Sequence, residues 1–154
     1  MKAGVITFPG SNCDRDLAQA LERITGKPAV TLWHKDRDLQ GCDAVFLPGG
    51  FSYGDYLRPG AIARFAPIME SVAKFEGKVV GICNGFQILT EAGLLPGALT
   101  KNISQRFLCK TVRLRVENNA TPLTRLFQYG QIIELPIAHG EGRFLAPHET
   151  LERL

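Results

Sequence analysis

Residues 78–92 read KVVGICNGFQILTEA, an apolar run followed by a cysteine between two glycines and then by a helical pattern. The run Lys78–Ile82 predicts a buried strand, because a short apolar run that ends at a turn suits a sheet covered on both faces. Asn84–Ala92 predicts a helix, and Gly93 predicts its end. The stretch therefore predicts a strand that passes directly into a helix at Cys83, which is the basic unit of an α/β fold.

The preceding residues repeat this alternation of strand and helix patterns. Strands are predicted at Ala3–Phe8, Ala29–Trp33 and Ala44–Leu47. Helices are predicted at Asp14–Thr25, with Leu17, Leu21 and Ile24 on the buried face and Gly26 as the cap, and at Pro59–Phe75, with a break near Pro67. The pattern as a whole predicts an open, mostly parallel sheet with helices on both faces.

A different pattern follows Gly97. Thr111–Glu117 alternates apolar and polar residues, which predicts a half-exposed and antiparallel strand. Gln131–Ile137 is a further strand candidate. We therefore expect a smaller mixed or antiparallel portion after the parallel sheet, within a single domain that covers residues 1–154.

Composition and charge exclude several classes of protein. The 154 residues are 45% hydrophobic and 21% charged, which is typical of a globular domain. The net charge of +3 is spread along the chain without a basic run, so neither a nucleic-acid nor a membrane partner is expected. No apolar stretch approaches the ~20 residues of a membrane span, and no signal peptide is recognisable, so a cytoplasmic location is expected.

The four cysteines include no Cys-x-x-Cys pair, and no histidine lies at metal-ligand spacing from them. This spacing favours neither a zinc site nor a disulfide framework. Cys83 is the candidate nucleophile, because a cysteine on a tight turn between strand and helix is exposed and its thiolate is stabilised by the helix dipole. The alternative is a buried structural thiol, which is what we expect of Cys13, Cys42 and Cys109.

A second candidate feature is the glycine-rich stretch 47–55, LPGGFSYGD, at the end of the third predicted strand. Ligands of open α/β sheets gather at this edge, and glycines allow backbone N–H groups to face an anion. The stretch lacks the Gly-Lys-Ser/Thr ending of a phosphate loop, which leaves an oxyanion hole or a plain turn. If the stretch forms an oxyanion hole, the N–H groups of Gly50 and Asn84 would bind the oxyanion formed at Cys83.

Four segments together resemble one known family. They are residues 8–14 (FPGSNCD), 48–55 (PGGFSYGD), 81–87 (GICNGFQ) and 138–143 (AHGEGR). In this order and spacing they are similar to the signature blocks of the glutaminase subunit of phosphoribosylformylglycinamidine synthase. The resemblance implies a class I glutamine amidotransferase domain of flavodoxin-like topology, which releases ammonia from glutamine during purine biosynthesis.

The resemblance also implies roles for individual residues and partners. Cys83 matches the nucleophile, and the backbones of Gly50 and Asn84 match the oxyanion hole. Substrate-binding positions are matched by Gly49, Phe51, Gln87, His139 and Gly140. The implied substrate is glutamine, and the implied partners are a large synthetase subunit and a small accessory subunit. ATP and Mg²⁺ are implied in the synthetase, whereas no cofactor and no metal are implied in this chain.

One part of the family pattern is missing from these residues. The family carries its catalytic histidine and glutamate in a Pro-His-Pro-Glu type motif near the C-terminus, and residues 1–154 contain none. Pro147-His148-Glu149 resembles it only superficially. We therefore expect that the C-terminal part of the domain is missing and that these 154 residues have little or no glutaminase activity even with the partner subunit present. Two alternatives stay open: a partner-binding module without catalysis, and another α/β family with an elbow cysteine.

Overall fold

A computed structural model describes residues 1–153. The Cα positions form two compact units. The first consists of Met1–Leu99 and the residues from Phe144 onward, and the second consists of Thr100–Arg143. The single domain expected from the sequence stays a prediction.

The first unit contains the predicted parallel sheet. Its strands are β1 (Ala3–Thr7), β2 (Val30–Trp33), β3 (Ala44–Leu47) and β4 (Lys78–Gly81). They lie in the order β2-β1-β3-β4, and every pairing is parallel. Leu47 pairs with Gly81 at the carboxyl ends of β3 and β4. The glycine-rich loop after β3 and the turn after β4 therefore begin side by side.

Helices cover both faces of this sheet, as predicted. They are α1 (Asp14–Thr25), α2 (Pro67–Ala73) and α3 (Asn84–Glu91). Successive residues of a strand point to opposite faces, and Val5 of β1 belongs to an apolar cluster with Leu21 of α1. Ile6 belongs to a second cluster, with Ile68 of α2 and Ile88 of α3. Gly26 ends α1 in the left-handed conformation, as expected.

Two details of the prediction were wrong. The helical part of Pro59–Phe75 is shorter than expected, because only a 3-10 turn at Ala63–Phe65 and the helix α2 form. The expected break near Pro67 is present, because Ala66 is extended between the 3-10 turn and α2, and Pro67 begins α2, where its missing N–H leaves no hydrogen bond unmade. Ile24 is 83% exposed, so the buried face of α1 ends before it.

The remaining elements complete the chain. β5 (Ala98–Thr100) pairs with β8 (Arg143–Leu145), and α4 (His148–Arg153) follows; none of the three was predicted. In the second unit, β6 (Leu108–Arg115) and β7 (Ile132–His139) pair antiparallel, as the alternating pattern indicated. None of the helices within residues 1–153 has the length and apolar character needed to cross a membrane.

Candidate active site

Cys83 occupies a strained turn between β4 and α3. Its φ of 51° and ψ of −109° lie outside the conformations that residues with a Cβ prefer. Strain of this kind costs about 1–3 kcal/mol and persists only where the surroundings hold it. Here the Ile82 N–H donates to the Leu47 carbonyl at 3.0 Å, and the Gln87 N–H donates to the Cys83 carbonyl at 3.2 Å. The exposed side chain of Cys83 is thereby presented at the end of the sheet.

The glycines on both sides of Cys83 are required by close packing. A Cβ atom on Gly81 would lie 2.6 Å from the carbonyl oxygen of Gly85. A Cβ atom on Gly85 would lie 2.1 Å from the carbonyl oxygen of Leu47. Both obstacles are backbone atoms, which cannot rotate away as a side chain can. The predicted elbow is therefore present, and the role of Cys83 as nucleophile stays a prediction.

The other cysteines differ from one another. Cys42 is buried, as expected, whereas Cys13 and Cys109 are exposed, so the prediction of core thiols was wrong for these two. The thiol of Cys13 lies near the elbow, because a Cβ atom on Gly49 would be 3.5 Å from Cys13 Sγ and 3.5 Å from Cys83 Cβ. Partial burial raises the pKa of Cys13, and the negative charges of Asp16, Cys83 and Asp14 raise it further.

The glycine-rich loop after β3 uses its backbone N–H groups in succession. The N–H groups of Phe51 and Tyr53 donate to the carbonyls of Gly10 at 2.8 Å and Pro9 at 2.6 Å, respectively. The Ser52 N–H donates to Asn84 Oδ1 at 3.0 Å, and the Gly54 N–H donates to the Phe51 carbonyl at 2.8 Å. Within the described part of the chain, the N–H of Gly50 is not among these donors. Gly50 has a φ of 127°, and a Cβ on it would lie 2.4 Å from the Asn12 nitrogen. The loop thus packs against residues 9–12 and leaves the Gly50 N–H for another acceptor.

The end of this loop is strained, and a histidine supports it. Tyr53, Gly54 and Asp55 all have left-handed backbone conformations, with φ of 53°, 66° and 54°. The Tyr53 hydroxyl lies 2.6 Å from Nδ1 of the buried His34. Burial lowers the pKa of His34, the charge of Lys35 lowers it further, and burial raises the pKa of Tyr53. The pair is therefore favoured in its neutral form.

The side chain of Asn84 joins three parts of the site. It is 1% exposed, and its Oδ1 accepts the hydrogen bond from the Ser52 N–H. Its Nδ2 donates to Gln87 Oε1 at 3.0 Å and to Asp55 Oδ1 at 3.2 Å. Only the backbone of Asn84 was considered at the level of the sequence. No local pattern could have shown its side-chain contacts, because two of the three partners are about 30 residues away.

His139 and Gly140 lie in the second unit, where Asn102 organises the segment around them. Asn102 Nδ2 donates to the carbonyls of His139 at 2.9 Å and Arg106 at 2.8 Å. Its Oδ1 lies 3.0 Å from Nδ1 of His139 and accepts from the Gly142 N–H at 3.0 Å. An amide oxygen only accepts, so His139 carries its hydrogen on Nδ1. Asn102 was missed as a site residue.

The predicted residues are thus placed as follows. The structure brings Gly49 next to Cys83 and joins Gln87 to Asn84. The side chain of Phe51 is 49% exposed.

Among residues 1–153, no group of three or more His, Cys, Asp or Glu side chains could hold a metal ion.

Comparison with known proteins gives one consistent family. A family model described as a CobB/CobQ-like glutamine amidotransferase domain matches residues 1–154. Phosphoribosylformylglycinamidine synthase subunit PurQ of Thermus thermophilus is 60% identical over all of this chain and 69% of its own length. The PurQ subunit of Moorella thermoacetica is 57% identical over all of this chain and 66% of its own length.

Solved structures agree with the sequence relatives. The structure of PurLQS from Thermotoga maritima matches with a TM-score of 0.88 and 52% identity, covering 94% of this chain and 69% of that chain. A structure from Thermoplasma acidophilum matches with a TM-score of 0.64 at 14% identity, which shows the fold alone. By its sequence, its fold and the turn at Cys83, this chain belongs to the PurQ family of phosphoribosylformylglycinamidine synthase subunits, built on a glutamine amidotransferase domain.

Proposed function

We propose that this chain is the glutaminase subunit of a phosphoribosylformylglycinamidine synthase and that Cys83 is its nucleophile. The Cys83 thiolate attacks the side-chain amide carbon of glutamine, and ammonia leaves when its nitrogen takes up a proton from a general acid. A water activated by a base then hydrolyses the γ-glutamyl thioester to glutamate and regenerates the thiolate. The family resemblance assigns both proton transfers to the C-terminal histidine, which lies in a motif that residues 1–154 do not contain. The observation that carries the proposal is the strained turn of Cys83 between two glycines that nothing larger can replace. Strained backbone of this kind is concentrated at active sites.

Two backbone groups would stabilise the tetrahedral intermediate. The N–H of Asn84 belongs to the first turn of α3, whose N–H groups have no acceptor within the helix. Among the described residues, the N–H of Gly50 is not used by the hydrogen bonds of the glycine-rich loop. Both loops start from neighbouring strand ends, which supports the proposal that the two donors lie near Cys83. Donors of this kind act where the negative charge develops in the transition state.

Glutamine binding is assigned to the residues around these donors. Gly49 and Phe51 belong to the glycine-rich loop, and Gln87 lies one helical turn after Cys83. His139 and Gly140, which belong to the second unit, are proposed for the same role. The role of these five residues rests on the family resemblance of their segments.

The ammonia would serve a partner subunit. The related structure from Thermotoga maritima is of PurLQS. We propose that this chain likewise joins a large synthetase subunit and a small accessory subunit, and that ATP and Mg²⁺ bind in the synthetase. The acceptor is formylglycinamide ribonucleotide, which becomes the amidine. The expected cytoplasmic location is part of the same proposal.

The test compares glutamine with free ammonia as nitrogen donor in a complex assembled with the full-length subunit, because residues 1–154 span 69% of the length of the Thermus thermophilus relative. Cys83→Ala should abolish glutamate release and glutamine-dependent amidine formation, while ammonia-dependent formation persists. Cys109→Ala, which changes an exposed cysteine of the second unit, is the matched control and should keep both activities. Glutamine-dependent turnover that survives Cys83→Ala would contradict the proposal.

A further inference from the structure

We propose that the side chain of Asn84 is a positioning residue that holds the glycine-rich loop and the Cys83 turn in register, so that the two oxyanion donors keep their spacing. This inference rests on the proposed function of Cys83, Gly50 and the Asn84 backbone. It assigns a separate task to the Asn84 carboxamide, which does not touch the reacting atoms.

The hydrogen bonds determine the orientation of this carboxamide. The Ser52 backbone N–H can only donate, so the Asn84 atom that it contacts is the oxygen. The nitrogen then faces the Asp55 carboxylate and the Gln87 side-chain oxygen, and each of its two hydrogens has an acceptor. Because Asn84 is 1% exposed, water does not replace these partners. The carboxamide is thus held in one orientation.

The contacts of Asn84 lie directly before the strained part of the loop and at its last residue. Ser52 precedes Tyr53 and Gly54, and Asp55 is the last of the three successive left-handed residues. A left-handed conformation costs roughly 1–2 kcal/mol for a residue with a Cβ, so this segment relaxes unless both ends are held. Asn84 holds the two ends that face α3, while His34 holds the Tyr53 ring.

The same residue therefore connects both oxyanion donors. Its own backbone N–H is one of them, and its side chain is bonded to the N–H of Ser52, two residues after Gly50. Relaxation of the loop would move the Gly50 N–H away from Cys83 without moving the Cys83 turn. Loss of the carboxamide should consequently impair the step in which the oxyanion forms, and it should leave the thiol accessible.

The first experiment measures glutamate release by Asn84→Leu in the assembled complex, together with alkylation of Cys83 by iodoacetamide. Leucine has a similar size but no hydrogen-bonding group. Removal of one oxyanion donor typically lowers kcat by ~10²–10³-fold, so we expect a fall of about 10²-fold in kcat with little change in KM. The alkylation rate should stay near that of the unmodified protein, because substitution at the CH₂ carbon forms no oxyanion.

A second pair of variants tests the same contact without an apolar residue. Asn84→Asp places a second carboxylate against Asp55 and should lower kcat as well. A further Asp55→Asn substitution in the Asn84→Asp variant restores the hydrogen bond between the two side chains, with residue 55 as the donor and residue 84 as the acceptor. The double variant should therefore recover kcat. Asn119→Leu, an exposed asparagine in the second unit, is the matched control and should change neither reaction.

The outcomes separate this inference from the proposed function. If Cys83→Ala abolishes glutamate release while Asn84→Leu keeps its kcat, Asn84 is not a positioning residue. If kcat and alkylation fall together in Asn84→Leu, and Asp55→Asn rescues nothing in Asn84→Asp, the carboxamide only stabilises the fold. If Cys83→Ala keeps its activity, the proposed function itself is wrong.

Discussion

The Tyr53 hydroxyl and Nδ1 of His34 lie 2.6 Å apart, and their rings meet edge to face at a centroid distance of 5.5 Å. Tyr53 belongs to the strained loop, whereas His34 directly follows β2 and is anchored by its backbone N–H to the Thr7 carbonyl at 3.1 Å. A neutral His34 can accept the phenolic hydrogen on Nδ1, and a protonated one cannot. The contact therefore couples the protonation of a buried histidine to the loop that carries Gly50.

This coupling predicts a dependence of stability on pH. Burial and Lys35 lower the pKa of His34 in the folded protein, although Asp36 opposes them, while the unfolded chain has the ordinary value of about 6.5. As the pH falls below about 6.5, the unfolded state takes up the proton first, so the free energy of unfolding decreases until the folded-state pKa is passed.

Urea unfolding of the unmodified protein and of His34→Gln, over pH 8 to 5, checks this expectation. Glutamine does not titrate and keeps an acceptor for Tyr53. The free energy of unfolding of the unmodified protein should fall relative to that of His34→Gln as the pH decreases. A difference that stays constant over the whole range would mean that His34 has the same pKa in both states.

The cysteines should differ in their reaction with a glutamine-like diazo-ketone. Cys42 is buried and its pKa is raised, chiefly by burial, and that of Cys13 is raised as well. Because the thiolate is the nucleophile, both should react slowly at pH 7. Cys13 is likewise exposed at the start of a helix, but Cys83 differs from it in lying on a strained turn that leads directly from a strand into a helix. Peptide mapping after brief labelling should find Cys83 modified first. Preferential labelling of Cys13 or Cys109 would contradict the assignment of the nucleophile.

Replacement of Gly85 by alanine should destabilise the fold more than replacement of Gly26. The new Cβ at residue 85 would lie 2.1 Å from the Leu47 carbonyl oxygen, whereas nothing lies within 4 Å of a Cβ at residue 26. Gly26→Ala should cost only its left-handed conformation, roughly 1–2 kcal/mol. Gly85→Ala has no left-handed cost, but its overpacking should exceed the about 1–3 kcal/mol usual for an added methylene, because the obstacle is a backbone atom that moves only if β3 shifts against α3. Chemical denaturation measures the free energy of unfolding of each variant. Equal decreases in the two variants would contradict a steric clash at residue 85.

Asn102→Leu should release the ring of His139. Without the amide oxygen at 3.0 Å, nothing favours the hydrogen on Nδ1 over the hydrogen on Nε2. The ¹⁵N chemical shifts of His139 distinguish the two tautomers, and the unmodified protein should show the Nδ1–H form. Ser104→Ala, in the same segment, is the control and should keep that form. An unchanged tautomer in Asn102→Leu would show that another group orients the ring.

The sequence by itself predicted the elements whose pattern is local. The bounds of α1 and β3 agree with the prediction, and the Cys83 turn follows from two glycines between an apolar run and a helical pattern. The four signature segments also indicated the family. The break near Pro67 also followed from the sequence, because a proline removes a hydrogen bond inside a helix but suits its first residue.

The tertiary structure alone decided which side chains hold these segments in place. His34 and Tyr53 are 19 residues apart, Asn84 and Ser52 are 32 apart, and Asn102 and His139 are 37 apart. Periodicity reports only on neighbours a few residues away, whereas such hydrogen bonds depend on which strand ends and loops the fold brings together. The exposure of Cys13 and Ile24 could not be predicted for the same reason, because burial depends on the elements that pack against a residue.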